Sequence, residues 1–212
     1  MSPSAQSEVT RGEIKKLRAV EAIRRGKAKK LVWVIGLLLL VAGIVVGSIA
    51  YSRYRDRVIP GDTYPDEGQQ HVSLTYQFDY SSNPPSSGPH YGSPAQWGVY
   101  DYEVNDKLFI HNLEHGGVWI AYRSTIAVEA FGELKSFVDE FGGSKLVMAP
   151  RTANDRDVAL TAWTRVFKFD IHDGRISDEQ KEQMRTFYRS TKNRGPELVP
   201  DTMPGIDPKS VQ

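Results

Sequence analysis

The segment KLFIHNLEHGGVWIAY, residues 107–122, contains two of the five histidines in the chain, His111 and His115, with Glu114 between them. Side chains four residues apart share one face of a helical turn and lie about 5–6 Å apart, close enough to bind one metal ion together. Two interpretations of the segment stay open. It is either a metal site or a polar turn whose histidines hydrogen-bond to the backbone.

The residues after position 70 predict an α+β domain. Alternating or continuous apolar residues indicate strands, and apolar residues at helical spacing indicate helices. The predicted strands are residues 71–80, 107–111, 116–122, 145–150 and 157–170, and the predicted helices are residues 125–141 and 177–191. A Ser177/Gln180 capping-box pattern opens the second helix. This order of elements predicts a mainly antiparallel sheet and two helices.

The N-terminal quarter of the chain predicts one transmembrane helix. LVWVIGLLLLVAGIVVGSIAY, residues 31–51, has no charged residue, and a helix of this length spans a hydrocarbon core of roughly 30 Å. Nine Lys/Arg and three acidic residues precede it. The positive-inside rule therefore predicts a single-pass protein of the cell membrane, with a cytoplasmic N-terminus and residues 58–212 outside. The alternative is a cleaved signal peptide, but the apolar segment is long for one.

These predictions divide the chain into five parts. They are a basic cytoplasmic arm (1–30), a transmembrane helix (31–51), a linker (52–70), an exterior α+β domain (71–200) and a flexible tail (201–212). The first part binds the inner membrane surface or stays solvated, and the transmembrane helix contacts the lipid bilayer. Gly43 and Gly47 have the spacing of helix-pairing motifs, which predicts a homodimer or a membrane-protein partner.

Composition excludes several classes of site. The chain has no cysteine, so disulfides, thiolate metal ligands and cysteine nucleophiles are excluded. Residues 1–57 contain twelve Lys/Arg and four Asp/Glu, and the rest of the chain has an excess of acidic residues. This charge distribution argues against a nucleic-acid-binding domain. The sequence motifs of NTPases, dinucleotide-binding proteins and serine hydrolases are also missing from the sequence.

Four residues are the candidate metal ligands. His111 and His115 are the primary pair, and His90 follows Gly88-Pro89 in a proline-rich loop that can direct it inward. Met148 is the fourth, and a methionine in a cysteine-free site favours copper over zinc. Glu114 is expected to orient a histidine as a hydrogen-bond acceptor. In the alternative interpretation, Met148 is a core residue and His90 bonds loop carbonyls. His71 and His172 are expected to be ordinary surface residues.

Four motifs carry a resemblance to a known family. PPSSGPHY (84–91) and HNLEHGGVWIAY (111–122), followed by MAPR (148–151) and LTAWTR (160–165), resemble domain-of-unknown-function family 3105. The resemblance covers roughly residues 60–200. The family consists mostly of bacterial proteins, so the resemblance implies an N-terminal transmembrane helix and one exterior domain. It implies no settled activity.

Three functions follow as hypotheses. The first is a membrane-anchored domain that binds copper in preference to zinc, for metal holding, for delivery or as an accessory to a membrane complex. This hypothesis favours a binding protein over an enzyme and leaves a redox or hydrolytic reaction open. The second is a structural or protein-interaction module whose histidine turn is a polar core network. The third is a zinc-dependent hydrolase, because HNLEH matches the pattern H-x-x-E-H. Glu182 or Glu197 would then be the third zinc ligand, but Gly116-Gly117 ends the helix that this pattern requires.

Overall fold

The computed structural model of the chain describes residues 11–211. Residues 1–10 of the predicted arm and Gln212 of the predicted tail therefore lie outside the described residues. The chain divides into two compact units, with the boundary between Arg57 and Val58.

The first unit consists of one long helix, α1 (Arg11–Val58), which extends beyond the predicted segment 31–51 at both ends. The side chains of that segment are exposed. From Ile14 to Tyr51 the helix is long and apolar enough to cross a membrane. A signal sequence near an N-terminus meets the same minimum of length and apolarity, so the helix is a candidate for either role.

The second unit is built on one six-stranded sheet. Its strands are β1 (Asp62–Thr63), β2 (Gly98–Val99), β3 (Val118–Tyr122), β4 (Leu146–Pro150), β5 (Val158–Ala162) and β6 (Arg165–Phe169), in the spatial order β1-β6-β5-β3-β4-β2. The pairs β3–β4 and β2–β4 are parallel, and the other three pairs are antiparallel. Its helices are α2 (Asp106–Glu114), α3 (Val128–Glu140) and α4 (Asp178–Thr191). The predicted α+β class is confirmed.

The central strands separate two hydrophobic cores. Because side chains alternate along a strand, Val118 and Ile120 of β3 belong to the core that contains α3 and α4. Trp119 and Ala121 belong to the opposite core, which contains Leu108 and other residues of α2. The sheet therefore has α2 on one face and the two longer helices on the other.

The prediction of a strand at residues 107–111 is wrong, because this segment begins α2. It also adds a third helix to the two that were predicted for this unit. Residues 107–114 are all buried, and apolar periodicity does not distinguish a buried helix from a buried strand. The local signal is Asn105, whose side chain accepts a hydrogen bond from the Lys107 amide at 3.1 Å and caps the helix.

The predicted strand at residues 71–80 is also absent from the structure. The alternating residues Tyr76 and Phe78 are exposed and line an open groove instead of packing into a core. The described pairing in this segment is a single bridge between His71 and His90. Residues 74–78 all line this groove, so the alternating apolar residues do not form one buried face.

The predicted strand at residues 157–170 is a hairpin of β5 and β6. Trp163 and Thr164 form its turn, and Thr164 has a φ of 59°. The other predicted elements hold: α3 and α4 lie within the predicted ranges, and the Ser177/Gln180 capping box is present.

Residues 58–70 of the predicted linker and the described residues of the predicted tail belong to the second unit. Ile59 is buried in the core with α3 and α4, and Asp62 pairs with β6. In the tail, the amide of Ile206 donates to the Pro94 carbonyl at 2.9 Å, and Pro208 is buried.

Gly116 forms the end of α2. Its amide donates to the Leu113 carbonyl and the Gly117 amide donates to the Asn112 carbonyl, both at 2.8 Å. This is the hydrogen-bond pattern of a Schellman motif. Gly116 has a φ of +73°, and a Cβ atom there would lie 2.7 Å from the Cα of Asn193. Only glycine fits this position, where the chain turns from the histidine helix into β3.

Gly116→Ala is expected to lower the free energy of unfolding by at least about 1–2 kcal/mol, because the left-handed backbone is costly for alanine and the Cβ meets backbone atoms. Gly132→Ala is the matched control. Gly132 lies inside α3 with no atom near its Cβ position, so alanine there should raise stability by about 0.5–1 kcal/mol. Chemical denaturation of both variants measures the two effects, and equal effects of the same sign would contradict this account.

Candidate metal centre

α2 carries three of the titratable groups of the centre on a short, firmly held helix. His111 and Glu114 lie in its last turn, His115 is the residue that follows it, and all three are buried. The first residue of the helix, Asp106, accepts hydrogen bonds from Arg151 at 3.0 and 2.8 Å. Arg151 is itself buried. This ion pair fixes the position of the helix against β4 and its following loop.

Two separate segments before α2 bring two more histidines to the helix. The backbones of His71 and His90 lie side by side, with the Val72 amide donating to the His90 carbonyl at 2.7 Å. The His90 amide donates to the Gln70 carbonyl at 2.9 Å. The ring centroids of His71 and His90 lie 5.1 and 5.0 Å from that of His111. Three histidines from three parts of the sequence therefore meet at one place.

Glu114 lies at the centre of these rings. Its Oε2 atom is 2.9 Å from the Nε2 atom of His90, 3.8 Å from that of His111 and 3.9 Å from that of His71. One possible ligand atom from each of the four residues lies within 4.8 Å of all the others. We call His71, His90, His111 and Glu114 the inner set.

Backbone carbonyls determine the protonation of two of the rings. The Nδ1 atom of His90 lies 2.8 Å from the Gly88 carbonyl, and the Nδ1 atom of His111 lies 2.8 Å from the Tyr91 carbonyl. A carbonyl only accepts, so each Nδ1 must carry a hydrogen. Each neutral ring then carries its lone pair on Nε2. The Nε2 atom of His90 lies 2.9 Å from the carboxylate of Glu114, and that of His111 lies 3.2 Å from the Nε2 atom of His115. This is the arrangement of metal-binding histidines, which donate the other ring N–H to an acceptor.

A second donor set overlaps the first. The Nε2 atom of His115 is 3.2 Å from the Nε2 atom of His111 and 2.9 Å from the Oε2 atom of Glu197. His111, His115 and Glu197 also offer ligand atoms within 4.8 Å of one another. We call these three residues the outer set. His111 belongs to both sets.

Burial changes the acid–base properties of the centre. Burial lowers the pKa of His111 to about 4, and it also lowers the pKa of His115. Both rings are therefore neutral at pH 7, the form that binds metals. Burial raises the pKa of the Glu114 carboxyl, but the hydrogen bond with His90 and the nearby histidine charges outweigh it and lower the pKa. Glu114 is thus a carboxylate at neutral pH.

The structure brings three of the predicted ligands together and separates the fourth. His90 and His111 lie in the inner set, and His115 adjoins them. Met148 does not, which corrects its prediction as a ligand. It is fully buried in the core with α3 and α4, whereas α2 packs on the other face of the sheet. Because alternate residues of β4 point to opposite faces, the Met148 thioether points away from the histidines.

Two of the possible ligands were not predicted as ligands from the sequence. His71 was predicted to be an ordinary surface residue, but it lies in the inner set although its side chain is 55% exposed. Glu114 was expected only to orient a histidine, and it is itself a possible ligand. No local spacing in the sequence links His71 to His90, and their proximity is visible only in the folded chain. His172 is exposed and lies in neither donor set.

The metal-free chain is expected to lose stability on mild acidification. The folded-state pKa of His111 lies near 4, below the ordinary value of 6.5, so the unfolded chain binds more protons between these values. This contribution to stability is complete above about pH 6.5 and is lost as the pH falls toward 4. Thermal melting of chelator-treated protein at several pH values measures the slope of the melting temperature against pH. His111→Gln should make it shallower, and an unchanged slope would contradict the assignment.

Comparison with known proteins agrees with the sequence motifs. The profile of the family described as "Protein of unknown function (DUF3105)" matches residues 71–202, which include both donor sets. No curated protein and no solved structure matches the chain. The chain belongs to the DUF3105 family.

Proposed function

We propose that this protein binds one transition-metal ion through His71, His90, His111 and Glu114, and holds it for delivery or for a membrane complex. The proposal is a binding function and not an enzymatic one. The residues that support it are a carboxylate and three imidazoles, a donor combination that is common for metals in proteins.

One observation carries the proposal. The Nε2 atoms of His90 and His111 and the Oε2 atom of Glu114 converge as acceptors, because carbonyls occupy both Nδ1 atoms. Buried acceptors that face one another need a cation or a proton between them. In the metal-free protein a proton satisfies the 2.9 Å contact of His90 with Glu114. A metal ion satisfies all the acceptors at once.

The donor set favours a divalent ion. The preference for copper depended on the thioether of Met148, which lies on the opposite face of the sheet. Imidazole suits zinc, copper, iron and nickel, and a carboxylate shifts the preference toward divalent ions. We therefore propose Zn²⁺ or Cu²⁺ as the bound ion, and Cu⁺ is disfavoured.

We propose that α1 anchors the protein in the cell membrane, with the metal-binding unit outside. Support comes from the length and apolarity of the helix and from the basic residues before it. Pairing of α1 helices through Gly43 and Gly47 stays a prediction. A site outside the cytoplasm has access to metal ions that enter or leave the cell.

Two other functions have support of their own. A structural role is supported by Asn112 of the same helix, whose buried side chain accepts from the amide of Ala95 and donates to its carbonyl. A zinc hydrolase is supported by the 2.9 Å contact between His115 and Glu197, which completes the H-x-x-E-H pattern with a third ligand. Glu114 would then be the base, but its bond with His90 and the nine-residue length of α2 favour the binding role.

Metal binding is tested by titration of the purified full-length chain with Zn²⁺ and Cu²⁺, followed by elemental analysis. We expect one ion per chain and a gain in stability of about 2.7 kcal/mol at a free metal concentration one hundred times Kd. His111→Ala and His90→Ala should abolish both. His172→Ala, which removes an exposed histidine outside both sets, should leave both unchanged.

The structural alternative makes the opposite prediction. There, His111→Ala lowers the melting temperature of the metal-free protein through the broken network, and metal has no effect on the wild type. A wild-type chain that binds no ion at micromolar concentrations would contradict the proposal.

At pH 7, metal binding should release a proton, since the ion takes the place of the hydrogen in the 2.9 Å contact between His90 and Glu114. His111 releases none, because its pKa near 4 leaves it neutral at this pH. Calorimetric titration in two buffers of different ionisation enthalpy counts the protons. Binding without any proton release would place the ion away from the His90–Glu114 contact.

A further inference from the structure

The inner and outer sets share a single ligand atom. The Nδ1 atom of His111 is bound to the Tyr91 carbonyl, so Nε2 is the atom that this ring offers to either set. One lone pair binds one ion. A metal ion can therefore use His111 in the inner set or in the outer set, but two ions cannot use it together.

The two sets differ in exposure. His90 and Glu114 of the inner set are buried, whereas the side chain of Glu197 in the outer set is 58% exposed. The segment that carries Glu197 is tied to the end of α2. The Glu197 amide donates to the Glu114 carbonyl at 3.1 Å. The buried ammonium of Lys145 bonds the carbonyls of His115 and Val199 at 2.8 and 2.6 Å.

The two sets are also expected to differ in their affinity for a metal ion. His90 and His111 each donate Nδ1–H to a carbonyl, which orients the ring and strengthens the ligand. The Nδ1 atom of His115 is buried and has no hydrogen-bond partner. To bind a metal through Nε2, this ring must carry its proton on Nδ1, where no acceptor meets it. That buried, unsatisfied donor makes the outer set the weaker of the two.

We propose that the outer set is an exit site, through which the ion passes from the inner set to an acceptor. This inference rests on the proposed metal-binding function. His111 keeps its bond to the ion while His71, His90 and Glu114 dissociate and His115 and Glu197 take their places. Each set contains one carboxylate, so the charge around the ion is conserved during the exchange. The acceptor takes the ion from the exposed side of Glu197.

The experiment measures transfer of Zn²⁺ from the full-length chain in detergent micelles, loaded with one equivalent, to an excess of the chromophoric chelator 4-(2-pyridylazo)resorcinol by stopped flow. Glu197→Gln keeps the backbone bonds and removes the charged ligand atom. We expect this variant to bind one equivalent and to load and release it about tenfold more slowly, a change of about 1.4 kcal/mol in the barrier. His115→Asn should slow both steps in the same way.

Glu182→Gln is the matched control, because Glu182 is an exposed carboxylate that pairs with Arg185 in α4, and its transfer rate should equal that of the wild type. If Glu197→Gln binds one ion and transfers it at the wild-type rate, the exit site is overturned while the inner site stands. If Glu197→Gln binds no ion, Glu197 is a ligand of the resting site, and the exit role is overturned. If the wild type itself retains no ion, the proposed function is what fails.

Discussion

Two backbone carbonyls control the chemistry of the histidine cluster. Gly88 and Tyr91 each accept a hydrogen bond from an Nδ1 atom, and this leaves the Nε2 atoms of His90 and His111 as acceptors within 4.8 Å of a buried carboxylate. An acceptor-rich, buried cluster is unfavourable unless a cation or a proton enters it. The loop that supplies these carbonyls and the His90 ring, and the helix that supplies His111 and Glu114, both belong to the second unit and pack within it.

The fold stabilises this arrangement from both sides of α2. At its start, Arg151 forms two hydrogen bonds with Asp106. At its end, Gly116 turns the chain directly into the central strand β3. Residues 107–114 of the helix are all buried. Leu108 and Phe109 pack against the sheet. A helix held at both ends positions its titratable groups closely, which is what a metal site needs. The segment with Glu197 then brings a more exposed carboxylate to the same helix end.

The sequence predicted the chemistry of this site better than its local structure. The spacing of His111 and His115 predicted a shared helical face, and that face exists although the residues before His111 were assigned to a strand. Because α2 is buried on all sides, its sequence lacks the apolar periodicity that distinguishes a helix from a strand. Met148 was misassigned because its side-chain direction depends on the register of β4. His71 was missed because its approach to His90 depends on a loop closure of nineteen residues, and local patterns do not record such contacts.

The central claim is that a metal ion binds among His71, His90, His111 and Glu114. X-ray absorption spectroscopy of the Zn²⁺-loaded chain tests it most directly, because the spectrum reports the atoms around the ion. The account predicts a first shell of nitrogen and oxygen at about 2.0–2.1 Å, with the outer-shell scattering of two or three imidazoles and without sulfur. A chain that carries no ion after exposure to Zn²⁺, or an ion whose first shell lacks imidazole, would contradict it.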